Sequence, residues 1–251
     1  MPSFFRNFAR NYSFVKMKRT FFITLLAMTM PLMGWAQEQP KIKPTALFTT
    51  SDGKTEEGTT INGQAPLHAL FQANATYTDG WTTYYEWRFT LGNQETPYLV
   101  RYEEDTEVTF TKAGEHFIEL YAIFTQNGDT VQYTQEYWSL TDPLKVTISE
   151  SILEMPNAFS PNNDMKNDTY KAKKYQSLVE FHATIYNRWG QKLYEWNDPA
   201  GEWDGTFHGK AVKQGVYFVH VTAKGADGIK YDIRKDVNLL RGYTETTNSH
   251  E

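Results

Sequence analysis

The chain has 251 residues, of which 40% are hydrophobic and 16% aromatic, with a formal net charge of −5 and no cysteine. That apolar share excludes a disordered chain, and the absence of cysteine excludes disulfides, thiolate metal sites, a Cys nucleophile and lipid attachment at a lipobox. Residues 37–150 carry 7 Lys+Arg against 17 Asp+Glu and residues 151–251 carry 13 of each, which argues against nucleic acid as a partner and puts a domain boundary near Glu150.

Residues 1–36 read as a signal peptide, with Met17 a candidate true start. Met17-Lys18-Arg19 supplies a positive end, Phe21–Met33 an apolar core, and Gly34-Trp35-Ala36 the small residues before a cut at Gln37. The apolar run is short for a transmembrane helix, and an uncleaved anchor is the alternative. Residues 37–44 read as a polar linker.

From Ala46 onward a period of two dominates. His116–Phe124 places Ile118, Leu120, Ala122 and Phe124 on one face; Tyr84–Phe89, Val131–Trp138 and Lys145–Ser149 read as further strands. Turns fall at Gly80, Gly92, Gly114 and Gly128, and no segment sustains a helical period. High aromatic, Thr and Val content agrees with strands. Residues 45–150 are therefore expected to form an antiparallel β-sandwich of Ig-like type.

Residues 151–241 repeat the style. Phe181–Trp196 reads as two strands around Asn187–Gly190, and a hairpin turns at Asp227-Gly228. In the last strand Ile229, Tyr231, Ile233, Val237 and Leu239 share a face that Lys235 interrupts, which places Lys235 at a sheet rim. The fold class is all-β, two consecutive antiparallel sandwiches, followed by a polar, disordered tail over 242–251.

Three motifs in the second unit carry a resemblance. The stretch MPNAFSPNNDMKNDTY offers Pro156, Asn157, Phe159, Pro161, Asn162, Asp164, Asn167 and Asp168. IYNRWGQKLYE offers Tyr186, Asn187, Arg188, Trp189 and Gly190, and EWDGTFHGKAVKQGVYFVHV offers Trp203, Asp204, Gly205, Gly215 and Tyr217. In order and spacing they resemble the gliding motility-associated C-terminal domain (CHU_C type) of Bacteroidota, a type B sorting signal of the type IX secretion system. The resemblance implies export through the periplasm to the cell surface or medium, with the secretion machinery and an outer-membrane protein as partners. Asn163 and Met165 stand where that family has Gly, so the loop is expected to differ in shape. More loosely, Ala65–Thr76, Tyr84–Phe89 and Thr111–Phe124 resemble a PKD-type module.

Chemistry-bearing clusters are few. Asn162, Asp164, Asn167 and Asp168 could wrap Ca²⁺, although Asx side chains that cap turns are the expected reading, and no other cofactor is signalled. Trp81, Tyr84, Tyr85 and Trp87 could form a sugar platform, but alternation sends Trp81, Tyr85 and Trp87 to a core face. The turn at Asn187–Gly190 is either a recognition knob or a hairpin whose Trp packs over the sandwich end. No zinc-spaced His pair, nucleophile elbow, Walker loop or dinucleotide fingerprint occurs. The expectation is a non-enzymatic secreted or surface protein with an adhesive or structural Ig-like cargo. The alternative is a carbohydrate-binding module that meets surface polysaccharide.

Overall fold

The computed structural model describes residues 38–49 and 54–242; the expected signal peptide and most of the expected tail lie outside them. Alternating apolar residues build the first sandwich from β1 (Thr45–Thr49), β2 (Thr55–Gly58), β3 (Thr60–Gly63), β4 (Leu67–Gln72), β5 (Thr82–Leu91), β6 (Leu99–Arg101), β7 (Thr106–Phe110), β8 (Gly114–Gln126), β9 (Asp129–Tyr133) and β10 (Leu144–Ile148). One sheet runs β2-β1-β4-β7 and the other β3-β10-β8-β5-β6, with β9 on the far part of β8. Their inner faces meet through aromatic rings: Phe71 on β4 lies 5.8 Å from Trp87 and 5.3 Å from Phe89 on β5, and Phe110 on β7 lies 6.0 Å from Phe71. Burying each such ring contributes roughly 2–3 kcal/mol.

Two local readings change. Val131–Trp138 is not one strand: β9 ends at Tyr133, and a single helical turn, α1 (Gln135–Trp138), follows. Trp138 is pulled inward, where its indole N–H donates to Leu120 O at 3.0 Å. The stretch read as a linker lies along the first sandwich, since Lys41 pairs with Thr76, Lys43 N–H donates to Ala73 O at 3.1 Å, and Ile42 packs on the core.

The second sandwich comprises β11 (Ile152–Glu154), β12 (Ala158–Phe159), β13 (Lys174–Gln176), β14 (Leu178–Tyr186), β15 (Lys192–Trp196), β16 (Thr206–Phe207), β17 (Lys210–Ala211), β18 (Gly215–Gly225) and β19 (Lys230–Leu239). Its main sheet runs β12-β19-β18-β14-β15. Two edges are parallel rather than antiparallel: β12 on β19, and β3 on β10 in the first sandwich. The covering layer is made of the short pairs β11-β13 and β16-β17 and of a bridge between Tyr170 and Trp203. Lys235 lies in the middle of β19, opposite Val219 on β18, and is half-buried, with its ammonium donating to Met155 O at 2.9 Å, so the interruption of the apolar face is answered by a carbonyl rather than by a place at the end of the sheet.

Two separate apolar clusters result, one ending at Ile148 and the next beginning at Met155. A mostly polar seam joins the sandwiches. Ser177 Oγ accepts the Ala65 N–H at 3.2 Å and pairs with Ser149 Oγ at 2.8 Å, and Ala113 N–H donates to Ala226 O at 3.0 Å. In the connecting segment Ser151 gives its N–H and hydroxyl to Asp227, both at 2.8 Å. Val179 and Ala226 also pack on the first core. Gly225 is required at the seam, because a Cβ there would overlap the Ser151 hydroxyl.

Candidate functional site

β18 starts at Gly215 and ends at Gly225, so its two ends lie roughly 33 Å apart at about 3.3 Å per residue. The seam occupies the Gly225 end. The sequence motifs gather at the Gly215 end, away from the first sandwich.

Part of the motif set builds the core of that end. Phe159 lies 5.8 Å from Tyr170 and 5.3 Å from Trp203, and Trp203 lies 5.5 Å from Tyr217. All four rings are buried. Their polar atoms are answered: Trp203 Nε1 donates to Thr206 O at 2.8 Å, Tyr170 Oη to Pro156 O at 3.1 Å, and Tyr217 Oη to Lys213 O at 2.6 Å. Burial pushes the Tyr170 phenol far above its ordinary range. Asn157 O accepts the Asn238 N–H at 2.9 Å, which pins the opening stretch to β19.

A second part shapes the Asx loop. The Asp168 carboxylate accepts the backbone N–H of Asn162 at 3.0 Å, Asn163 at 2.7 Å and Met165 at 2.9 Å. Asp164 accepts Asn162 Nδ2 at 3.0 Å and the Lys166 N–H at 2.9 Å; these bonds, the Asn162 side chain first, lower its pKa. Asn167 O accepts the Ser160 N–H at 2.7 Å. The acidic oxygens thus meet amide donors, which is turn capping. Among the described residues no group of three or more His, Cys, Asp or Glu is placed to hold a metal. Asn163, Met165 and Asn167 adopt φ of 65°, 64° and 53°. Asn tolerates that region; Met does so at a cost.

The Arg241 guanidinium, overlooked in the sequence, ties the loops together. Its Nη2 donates to Gly205 O at 2.9 Å, Nε to Val212 O at 3.0 Å and Nη1 to Pro161 O at 3.4 Å. Gly205 takes φ +76°, a conformation that strains any side chain, and a Cβ there would crowd Leu239 and Pro161 at 3.2 and 3.3 Å. Asp204 caps the same turn by accepting the Thr206 N–H at 2.9 Å.

A third part stays exposed around a cleft of about 560 Å³ between the Asn187–Gln191 turn and the Val212–Val216 segment. Asn187 builds the turn: its Oδ1 accepts the N–H of Trp189 at 2.9 Å and of Gln191 at 3.0 Å, and its own N–H donates to Gln191 O. Gly190 takes φ +78°, as the hairpin requires. Trp189 is 78% exposed, so the side chain is a knob rather than a lid on the sandwich end. The Arg188 guanidinium stacks over its ring at 4.6 Å. Gly215 and Tyr217 line the opposite wall, and Tyr186 ends β14 one residue before the turn.

The aromatic platform of the first sandwich is not assembled. Tyr85 and Trp87 point into the core, Trp81 packs half-buried against it, and Tyr84 faces the opposite side of β5. The period of two separates neighbours in the chain.

Residues 153–233 match the family model of the CHU_C Type IX secretion signal domain. The second sandwich is such a signal domain. The match falls on the region whose turns and cleft are described above, and the signal domain directs export to the cell surface or the extracellular space. No curated protein matches the chain. Among solved structures, the dimeric latent PorU of Porphyromonas gingivalis is similar at 11% identity and a TM-score of 0.24, over 84% of this chain and 21% of that one. The SGBP-B protein of the Bacteroides ovatus mixed-linkage glucan utilization locus, in complex with a mixed-linkage heptasaccharide, is similar at 14% and 0.25, over 80% of this chain and 48% of that one. The chain spans less than half the length of either.

Proposed function

We propose that the first sandwich is a non-enzymatic surface module, adhesive or structural, and that the signal domain carries it out of the cell by engaging the secretion machinery and an outer-membrane partner protein. The observation that carries this reading is the placement of the signal. Its motif end faces away from the cargo, with Trp189 and Arg188 exposed on a turn that Asn187 fixes. A receptor can reach it while the seam holds the cargo at the other end.

The test is truncation of the native chain after Ser149, followed by cell fractionation. The full chain should reach the outside, and the truncated chain, whose core cluster ends at Ile148, should accumulate folded in the periplasm. Equal export of both would reject the reading.

A polysaccharide-binding cargo is favoured by one feature of the first sandwich. Tyr84 and Tyr102 are exposed with ring centroids 6.2 Å apart, and Tyr84 Oη donates to Glu86 at 2.8 Å. Glu86 also accepts Arg88 Nε at 2.6 Å, and Arg88 stacks on Tyr121 at 3.8 Å. Exposed rings beside a fixed acid suit stacking against a sugar face with hydroxyls bonded to the carboxylate. Retention of the purified chain on insoluble polysaccharides, lost in Tyr84→Ala/Tyr102→Ala, is the expected result; retention unchanged by the substitutions would discard this surface.

A further inference from the structure

We propose that the cleft beside Trp189 takes an extended acidic segment of a protein of the secretion machinery; this rests on the export reading and names the chemistry of its partner. The lining contains no Asp or Glu and two cations, Arg188 and Lys213. Neither cation has a carboxylate partner among the described residues. Two acids of the same domain are engaged elsewhere: Glu195 with Lys192 at 2.9 Å, and Asp204 with the Thr206 N–H and hydroxyl. Leu193, Phe207, Val212 and Val216 add apolar surface to the same lining. An occupant that satisfies this surface carries carboxylates at the rim and apolar side chains within.

The Arg188 side chain is suited to such a carboxylate. The guanidinium carbon lies 4.6 Å from the centre of the Trp189 ring, and among the described residues no hydrogen bond engages its N–H groups, so the planar fork can receive a carboxylate bidentately. The wall bearing Lys213 is fixed before binding. Tyr217 Oη holds Lys213 O, and Arg241 holds both Val212 O and the Gln214 side chain. Preorganised walls reduce the ordering cost of association.

The same numbers disfavour an anionic membrane. Electrostatic attachment to lipid uses clusters of about 4–8 Lys/Arg, whereas this cleft offers two cations in a domain whose region 151–251 has 13 Lys+Arg against 13 Asp+Glu. A concave, partly apolar cleft also matches a polypeptide better than a flat headgroup layer.

The experiment uses the full chain in two arms. In cells, surface labelling compares wild type, the reversal Arg188→Glu/Lys213→Glu, the neutral pair Arg188→Gln/Lys213→Gln and the charge-keeping swap Arg188→Lys/Lys213→Arg. Melting curves confirm that each variant folds; the neutral pair stands in if the reversal does not. Export should fall at least about tenfold with reversal, a difference equivalent to 1.4 kcal/mol, and remain above about half with the charge-keeping swap. In solution, a short labelled alternating Glu-Leu peptide should bind the purified wild type at least about tenfold more tightly than its Lys-Leu counterpart, with affinity falling as salt rises. If wild type itself is not exported, the export reading fails. If wild type is exported and the reversed chain is exported equally, or the two peptides bind alike or not at all, the acidic-partner proposal fails on its own. Binding to anionic phospholipid vesicles in preference to the acidic peptide overturns it as well.

Discussion

Ser177 allows the seam to be measured in two substitutions. It is buried at 2% exposure, and its φ is +46°. Replacing Ser177 with Ala keeps the backbone conformation and deletes the hydroxyl that accepts the Ala65 N–H and pairs with Ser149. A buried N–H left without an acceptor costs about 1–3 kcal/mol, while the freed Ser149 hydroxyl can rotate. The expected loss is about 2 kcal/mol, or roughly 4–8 °C in Tm for a chain of this size. Ser177→Gly deletes the same bonds but relieves a left-handed conformation that costs a non-glycine residue about 1–2 kcal/mol, partly offset by the greater entropy of an unfolded glycine. It should therefore be about 1 kcal/mol less destabilising than the Ala variant. Urea unfolding followed by circular dichroism reads both. An Ala variant within about 0.5 kcal/mol of wild type would mean that the hydroxyl does not support the seam. A Gly variant less stable than the Ala variant would refute the strain argument.

Met165, at φ +64° and 95% exposed, pays for its conformation with no packing in return, so Met165→Gly should raise the stability by about 0.5–1 kcal/mol; a lower midpoint in urea would show that the side chain is held by contacts. Asn187→Ala removes the acceptor for two turn N–H groups and should cost about 1 kcal/mol, while Asn187→Asp retains the acceptor and most of the stability, as read by thermal melting. His116 is buried between Tyr98 Oη and Lys112 O, and burial lowers its pKa in the folded chain. The unfolded chain therefore takes up the proton first, so stability should fall as pH drops below about 6.5 and level off beneath the folded pKa. A His116→Gln chain should lack that component, and identical pH profiles for the two chains would contradict it.

The strands were legible where a period of two met a single buried face, as in Ile118–Phe124 on β8 and Tyr85–Phe89 on β5. Helix α1 was not, because one turn shows no periodicity and forms only through the bonds that Trp138 and Gln135 make to β8. The parallel edges β3-β10 and β12-β19 join segments distant in the chain, and nothing local announces such pairings. In the signal domain the Asx residues announced capping, yet the role of Asp168 as the shared acceptor depends on how the loop closes. The cleft was half legible. The turn residues stood out as a motif, but Lys213 reaches them only because β14 and β18 pair with Tyr186 opposite Phe218. Arg241 looked like the end of a strand, and only the fold discloses that it binds three loops.

The central claim, that the signal domain exports what is attached to it, is tested most directly by placing a reporter enzyme behind a signal peptide and ahead of residues 39–241, which keeps the seam intact. In a bacterium that has a type IX secretion system, the reporter should be found outside the outer membrane, and the same bacterium without that system should hold it in the periplasm. A reporter that stays periplasmic while an established type IX cargo is exported in parallel would contradict the account.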